Sequence, residues 1–376
     1  MKNSFFGEIN GCFGFGLMRL PMQGETIDFE QTNEMVDAFL AKGLNYFDTA
    51  HGYIREQSEI AVRECLVKRH PREKYILTNK LSNEYFQKEE DIRPLFEQQL
   101  KACGVEYFDF YLMHAQGSGN YDKYQQTNAY KIAQELKKEG KVRHVGLSFH
   151  DSAEFLDKIL TEHPEMEVVQ IQLNYLDYDE PMVQGRECCE VCRKHNKPVI
   201  IMEPVKGGCL VNLPAAAQEI LDSLGESYSN AAYALRFAAG LDGVCMVLSG
   251  MSDMEQMNDN LKSMAEPKAL TDEETKALEK VACILREEGQ IPCTGCRYCV
   301  KGCPREILIP DVLAAFNVKK RLQEYPAYAM YKKATDENGK PESCEGCGKC
   351  EDICPQHLNI RELLSEAAEE FSRPLF

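Results

Sequence analysis

Eight short apolar runs, separated by amphipathic stretches, constrain the fold of this 376-residue chain more than any other feature. Short apolar runs predict buried strands, and several of the stretches between them carry apolar residues at helical spacing. Strands that alternate with helices predict a parallel sheet, and eight such units close a (β/α)8 TIM barrel. The predicted strands are Phe13–Met18, Asn45–Thr49, Tyr75–Lys80, Phe108–His114, His144–Ser148, Val168–Asn174, Pro198–Glu203 and Gly243–Ser249.

Three successive predicted strands end in single ionisable residues. Asp48 lies at the end of the second strand, Lys80 ends the third and His114 ends the fourth, while Tyr53 follows Asp48 by five positions. Because the carboxyl ends of barrel strands meet at one rim, these side chains are expected to lie together. Taken singly, a strand-end Asp usually caps a helix and a lone His is usually a paired core residue. Their joint order and spacing favour a catalytic site.

The run Phe47-Asp48-Thr49-Ala50 with Tyr53, followed by Lys80 and His114, resembles the catalytic tetrad of the aldo-keto reductase family. The resemblance extends over residues 9–262 and implies reduction of a carbonyl, or oxidation of an alcohol, with a nicotinamide nucleotide. It implies that Tyr53 gives a proton to the carbonyl oxygen. A phenol titrates near pH 10, so Lys80 is expected to lower the pKa of Tyr53, with Asp48 holding Lys80 charged. His114 would orient the carbonyl and donate to the developing oxyanion.

The same resemblance places the nucleotide at the remaining strand ends. Ser148 and Gln170 match positions that hold the nicotinamide carboxamide, and Met202 stands where an aromatic residue often stacks on the ring. Glycines after a strand can cradle a pyrophosphate with their N–H groups, although they are also ordinary turn residues. The residues expected at the phosphates and the adenosine are Pro204, Gly207, Gly208, Ser249, Gly250, Gln256 and Asn260.

Three positions depart from the pattern of the family. Phe149 replaces the usual Asn after Ser148, and Gly250 and Gln256 stand where basic residues commonly grip the 2′-phosphate of NADPH. The sequence therefore predicts NADPH or NADH without strong selection between them, and a flavin nucleotide is the alternative cofactor.

Eight of the 17 cysteines form two copies of one pattern near the C-terminus. Each copy has the spacing of bacterial ferredoxins, C-x2-C-x2-C-x3-C-P, in which three cysteines hold one cluster and the fourth ligates the other. Structural zinc is the alternative for CxxC pairs, but it leaves the remainder of the repeat without a role. Two [4Fe-4S] clusters are predicted, one held by Cys293, Cys296, Cys299 and Cys354, the other by Cys344, Cys347, Cys350 and Cys303.

Composition excludes several other classes of protein. Lys and Arg number 43 against 60 Asp and Glu, a net charge of −17, so a nucleic-acid partner is not expected. No run approaches the ~18 apolar residues of a membrane span, and no secretory signal begins the chain. A cytoplasmic protein without a membrane partner is expected.

The breaks in pattern predict two domains. Residues 1–266 would form the barrel, with a hairpin at Asn10-Gly11 closing its floor. Residues 267–288 would form a linker and a connecting helix capped at Thr271. Residues 289–376 would form a small, mainly helical ferredoxin-like iron–sulfur domain with an insert at 305–343.

Three functions remain open at this point. The first is an iron–sulfur aldo-keto reductase acting on a small carbonyl or alcohol substrate. The second is a flavin-dependent reductase or dehydrogenase fed by the clusters, because a flavin can split an electron pair and a nicotinamide cannot readily do so. The third is a regulatory or electron-carrier subunit with a nucleotide-sensing barrel. An external ferredoxin or flavodoxin is the expected protein partner.

Overall fold

The computed structural model describes residues 3–181, 183–225, 228–287, 291, 293, 295, 297–320, 324–354 and 358–373. The chain divides into two compact units, Met1–Glu279 and Lys280–Phe376. The division falls inside the predicted linker and connecting helix, residues 267–288.

The first unit contains a closed barrel of eight parallel strands, as predicted. The strands follow one another round the barrel in chain order, and the last pairs with the first. The barrel strands are β1 (Phe13–Gly16), β4 (Tyr46–Asp48), β5 (Ile76–Leu81), β6 (Phe108–Gln116), β7 (Val142–Phe149), β8 (Val169–Gln172), β9 (Val199–Met202) and β10 (Val244–Gly250). A separate antiparallel pair, β2 (Met22–Gln23) and β3 (Thr26–Ile27), precedes the first helix.

Helices surround the barrel at the positions where the sequence shows amphipathic stretches. They are α1 (Phe29–Ala41), α2 (Gln57–Ala61), α3 (Glu89–Cys103), α4 (Tyr121–Gln126), α5 (Ala129–Lys138), α6 (Ala153–Glu162), α7 (Gly185–Lys194), α8 (Ala215–Asp222), α9 (Asn230–Ala239) and α10 (Met254–Met264). None of the helices in the described part of the chain is long and apolar enough to cross a bilayer.

Strand alternation explains why polar groups point into the barrel. Phe47 packs in the apolar layer with the surrounding helices, whereas Tyr46 belongs to the cluster inside the barrel. Thr78 of β5 donates to the Tyr46 hydroxyl at 2.6 Å. Because side chains alternate along a strand, the next inward positions are Asp48 and Lys80.

The N-terminal segment closes the floor of the barrel without extended strands. The Asn3 N–H donates to Ile9 O at 2.9 Å, and Phe6 and Ile9 pack in the interior cluster. The Asn3 amide donates to Gly11 O at 3.1 Å, and Gly11 has a φ of 72° directly before β1 begins. Within the described residues, the segment predicted as a hairpin is therefore a compact turn. Hydrogen bonds from the Asn3 side chain hold it, in place of the backbone hydrogen bonds between two paired strands.

The connecting helix α11 (Asp272–Glu287) begins with the predicted cap. The Glu274 N–H donates to the Thr271 hydroxyl at 3.2 Å, and Glu274 Oε2 accepts from the Thr271 N–H at 2.7 Å. The same carboxylate is paired with buried Arg236 of α9, at 2.7 and 2.9 Å. This buried ion pair fixes the start of α11 to the barrel.

The second unit is mainly helical, as predicted. Its helices are α12 (Tyr298–Lys301), α13 (Ile309–Lys320), α14 (Glu324–Thr335), α15 (Lys349–Asp352) and α16 (Ile360–Ser372). The last helix buries one apolar face through Ile360, Leu364, Ala367 and Phe371. These residues belong to a core of their own.

Candidate active site

Lys80 brings together three of the four predicted catalytic residues. Its Nζ donates to Asp48 Oδ1 at 2.5 Å, to Thr49 O at 2.9 Å and to the Tyr53 hydroxyl at 3.2 Å. Asp48 and Lys80 come from the adjacent strands β4 and β5, and only 3% and 1% of their surfaces are exposed. The ammonium group also lies 4.8 Å from the centre of the half-buried Tyr53 ring. All three donors of the ammonium group therefore have acceptors at this end of the barrel.

His114 completes the group from β6. Its ring centroid lies 6.0 Å from that of Tyr53, and its Nδ1 lies 2.5 Å from the Ser82 hydroxyl. Burial, followed by the charge of Lys80 and a smaller electrostatic contribution from His150, holds the pKa of His114 well below its usual value. The imidazole is therefore neutral at physiological pH and can act as a hydrogen-bond donor without carrying charge.

Burial and charge act in opposite directions on the other titratable groups. Lys80 lowers the pKa of Tyr53, as expected from the sequence, but burial has the larger effect and the pKa is raised overall. Burial also raises the pKa of Asp48 against the effect of Lys80. For Lys80, burial disfavours the charge, but Asp48 and Tyr53 together outweigh it and raise its pKa. Lys80 is thus a permanent cation beside a protonated phenol.

A buried polar network behind Lys80 was not predicted. The Lys80 N–H donates to Asn79 Oδ1 at 2.8 Å, and Asn79 Nδ2 donates to Glu59 Oε1 at 2.8 Å. Glu59 Oε2 lies 2.8 Å from His51 Nδ1. Glu59 is only 1% exposed, so this network fixes the backbone that carries Lys80. The sequence signal was a carboxylate within an apolar helical stretch.

The predicted carboxamide residues are direct neighbours across β7 and β8. Ser148 pairs with Gln170 in the register of the two strands. Ser148 Oγ accepts from the Ala115 N–H at 2.7 Å, and Gln170 Nε2 donates to Asp48 Oδ2 at 3.5 Å. The Gln170 Oε1 atom is buried and has no hydrogen-bond partner among the residues that the structure describes. A buried acceptor of this kind fits an amide N–H donor of a ligand.

Two glycine-bearing loops lie beside an arginine that was not predicted. Gly207 and Gly208 have φ angles of 62° and 95° after β9. A Cβ at Gly207 would lie 3.3 Å from Arg19 Nη2, and one at Gly250 would lie 3.2 Å from Arg19 Cβ. Arg19 also pairs with Glu203 at 3.2 Å. The sequence could have indicated Arg19 through its position soon after β1, because the carboxyl end of that strand also lies at the rim.

The other predicted nucleotide residues are partly used by internal contacts. Asn260 Nδ2 donates to Ser249 Oγ at 3.2 Å, and Gln256 Nε2 donates to Asp253 Oδ2 at 2.7 Å. Pro204 is buried, and Met202 is half-buried at the end of β9. The neighbouring Lys206 is buried against Asp177 at 2.6 Å, so it serves the loop rather than a ligand.

Four of the predicted cluster cysteines line one cavity in the second unit. Cys303 meets Cys344, Cys347 and Cys350 there, with apolar walls from Ile307, Ile309 and Leu364. This is the set predicted for the second cluster, including its ligand from the other copy. Where the chain is described, no three His, Cys, Asp or Glu side chains converge on one ion position. Cysteines spaced around a cavity fit a polynuclear cluster, whose ligands bind different iron atoms.

The set predicted for the first cluster is only partly visible. Cys299 is buried, and Cys293 and Cys354 are half-buried. Cys296 lies outside the described residues. The ligation of this first cluster stays a prediction.

The barrel and its rim define an oxidoreductase of the aldo-keto reductase type. The chain belongs to that family, because residues 13–282, well over half of its length, match the model of the Aldo/keto reductase family. Residues 292–358 match the 4Fe-4S dicluster domain, so the C-terminal unit is of the ferredoxin type.

Curated relatives and solved structures cover mainly the barrel. The uncharacterized oxidoreductase YqkF of Bacillus subtilis is 24% identical over 276 residues, 65% of this chain and 85% of that protein. The NADH-specific methylglyoxal reductase of Escherichia coli is 27% identical over 186 residues, 45% of this chain and 54% of that protein.

An aldo-keto reductase from Klebsiella pneumoniae in complex with NADPH has a TM-score of 0.61 at 20% identity, covering 75% of this chain and 95% of that chain. A holo aldo-keto reductase from Bacillus halodurans also has a TM-score of 0.61, at 24% identity, covering 75% of this chain and 96% of that chain. These likenesses show the shared fold.

Proposed function

We propose that the barrel reduces a small carbonyl compound, or oxidises the corresponding alcohol, with a nicotinamide nucleotide. The observation that carries this proposal is the Lys80 ammonium group, which joins Asp48 at 2.5 Å to the Tyr53 hydroxyl at 3.2 Å. A purely nucleotide-sensing barrel has no need of this buried arrangement. The assembled tetrad therefore favours catalysis over sensing.

Each residue of the tetrad has a separate part in the proposed mechanism. A bound reduced nicotinamide supplies the hydride that attacks the carbonyl carbon. Tyr53 donates its phenolic proton to the carbonyl oxygen, and Lys80 stabilises the tyrosinate that remains. Neutral His114 donates a hydrogen bond to the oxygen as negative charge develops there.

The nucleotide would be held by both sides of the rim. Gln170 Oε1, a buried acceptor without a protein partner, would accept from the carboxamide beside Ser148. Arg19 is the cation available to the pyrophosphate, next to Gly207 and Gly250. Gln256 is occupied by Asp253, so the predicted weak selection between NADH and NADPH is retained. A flavin nucleotide stays the alternative cofactor.

We infer further that the second unit holds two [4Fe-4S] clusters, ligated as the cysteine repeat predicts. The cavity shared by Cys303, Cys344, Cys347 and Cys350 supports the cross-ligation between the two copies. Such clusters transfer single electrons, and an external ferredoxin or flavodoxin would be their partner.

A screen of small aldehydes, ketones and sugars with NADH, NADPH and a reduced viologen tests the proposed reaction. With the substrate that works, Lys80→Met should lower turnover by ~10²–10⁴-fold, because the tyrosinate loses its cation. Nucleotide affinity, measured by fluorescence titration, should stay close to that of the wild type and so report correct folding. Lys101→Met, at an exposed position of α3, is the matched control. Full activity of Lys80→Met would refute the mechanism.

A further inference from the structure

The second unit is built from two copies related by 51 positions. The helices α12 and α15 begin at residues 298 and 349, and α13 and α16 begin at residues 309 and 360. The four cysteines of each run repeat with the same offset. At this offset Arg361 corresponds to Pro310, and Glu351 corresponds to Val300. One copy therefore has an ion pair at positions where the other copy has uncharged residues.

Arg361 connects the ligand loop to the helix behind it. Its side chain lines the cavity of Cys303, Cys344, Cys347 and Cys350. Nη1 donates to Gly346 O, between two of these cysteines, at 3.3 Å. Nε donates to Glu351 Oε2 at 2.9 Å, and the Arg361 N–H donates to Glu351 Oε1 at 2.8 Å. Gly348, between Cys347 and Cys350, also lies near the guanidinium, since a Cβ built there would be 4.0 Å from Arg361 Cζ.

Arg361 places a positive charge in the wall of the cavity that these cysteines line. Its guanidinium is paired with Glu351, with Nη2 2.8 Å from Oε2. One-electron reduction makes a cluster more negative and breaks no bond, so a neighbouring cation stabilises the reduced form. Glu351 opposes this, but its carboxylate is also engaged by the backbone at the N-terminus of α16.

We propose that Arg361 is a positioning residue that raises the reduction potential of the cluster held by Cys303, Cys344, Cys347 and Cys350. This inference rests on the proposed ligation of two clusters. Arg361 acts by holding the loop Cys344–Cys347 and by supplying a positive charge beside it.

The test is an anaerobic potentiometric titration of the full chain, reduced with dithionite and followed by EPR. Arg361→Gln should make reduction of one cluster about tenfold less favourable, a downward shift of ~59 mV for one electron. Glu351→Gln should move the same midpoint upward, and Arg361→Lys should leave it near the wild-type value. Shifts of opposite sign from two partners of one ion pair indicate a charge effect, which structural damage would not produce.

Arg297→Gln is the matched control. Arg297 is as exposed as Arg361 and is likewise paired with a carboxylate, Asp311, at 2.7 Å, but it lies in the first cysteine run. Arg297→Gln should leave the midpoint potential of the second cluster unchanged.

Iron analysis separates the two proposals. Wild-type protein should contain about eight iron and eight sulfide per chain. If the fully loaded wild-type protein contains fewer, the proposed ligation of two clusters is refuted. Complete loading with no midpoint shift in Arg361→Gln, or a downward shift in Glu351→Gln, would refute the role of Arg361. If Arg361→Gln does not incorporate its clusters, the midpoint potentials of Glu351→Gln and Arg361→Lys test the role of Arg361 instead.

Discussion

Lys80 shows how a single buried charge can be stable at the rim of the barrel. A buried ammonium group costs several kcal/mol unless it is paired and hydrogen-bonded. Asp48, Thr49 O and Tyr53 supply an acceptor for each of its three donors. Burial raises the pKa of the Tyr53 phenol, and the charge of Lys80 offsets part of this rise.

The tetrad could be predicted from the sequence because its residues lie at or just after strand ends. The supporting residues could not be predicted in the same way. Glu59 of α2 meets both His51 and Asn79 because α2 packs against the barrel. Arg19 follows β1 and meets the loops of the neighbouring strands β9 and β10, although its partner Glu203 is 184 positions away in the chain. Contacts of this kind depend on tertiary packing, which local pattern does not contain.

Gln170 gives a prediction at the scale of one residue. Gln170→Leu removes the buried Oε1 and one long hydrogen bond, from Nε2 to Asp48 Oδ2 at 3.5 Å, so the free energy of unfolding should fall by no more than about 1 kcal/mol. The carboxamide of a bound nicotinamide would lose its acceptor, which costs about 1–3 kcal/mol, and nucleotide affinity should fall about tenfold. Fluorescence titration and thermal unfolding measure the two effects.

Gln134→Leu is the control, because this residue of α5 also has a buried amide atom without a protein partner. Its change should leave nucleotide affinity unaltered. Equal affinities of wild type and Gln170→Leu would remove Gln170 from the nucleotide site.

At the scale of elements, the eight strands match their predicted positions within a few residues. The largest extension at a carboxyl end is in β6, predicted to end at His114 and observed to continue to Gln116. The register with β7 shifts between Met113 and Gln116, and Ala115 has a φ of 49°. This irregularity depends on the Ser148 hydroxyl that accepts from Ala115, a contact between strands that sequence pattern does not show.

The Arg236–Glu274 pair gives a prediction for the element α11. Glu274→Gln leaves a buried guanidinium without its counter-charge, so the free energy of unfolding should fall by about 3 kcal/mol in urea at pH 7. Glu187→Gln, in an exposed pair with Arg186, should change it by less than ~1 kcal/mol. Similar losses in both variants would contradict the stabilising role of the buried pair.

The pH dependence of this effect has a definite sign. Burial opposes ionisation of Glu274, but Arg236 and Thr271 outweigh it and lower the pKa of the carboxyl group. A carboxyl group whose pKa is lowered in the folded state stabilises the fold at pH values above its unfolded-state pKa. This stabilisation is lost as pH falls through the folded-state pKa. The difference between wild type and Glu274→Gln should therefore be largest near neutral pH and shrink in acid.

At the scale of the whole molecule, an aldo-keto reductase barrel and a ferredoxin-type unit have separate apolar cores. The number of strands and the cysteine repeat were enough to predict both architectures. The identity of the carbonyl substrate could not be predicted, because loops with no repeated pattern shape its pocket. The net charge of −17 does not identify the electron carrier that would meet the second unit.

The proton donated by Tyr53 is the central claim, and Tyr53→Phe tests it most directly. The change removes one hydroxyl and keeps the ring beside Lys80 and His114. The measurement is the ratio of turnover numbers of the variant and the wild type, with nucleotide affinity measured on the same samples. The account predicts that turnover falls by ~10²–10⁴-fold while nucleotide affinity changes by less than about twofold. Turnover equal to that of the wild type would contradict proton donation by Tyr53 and would place the chemistry elsewhere in the molecule.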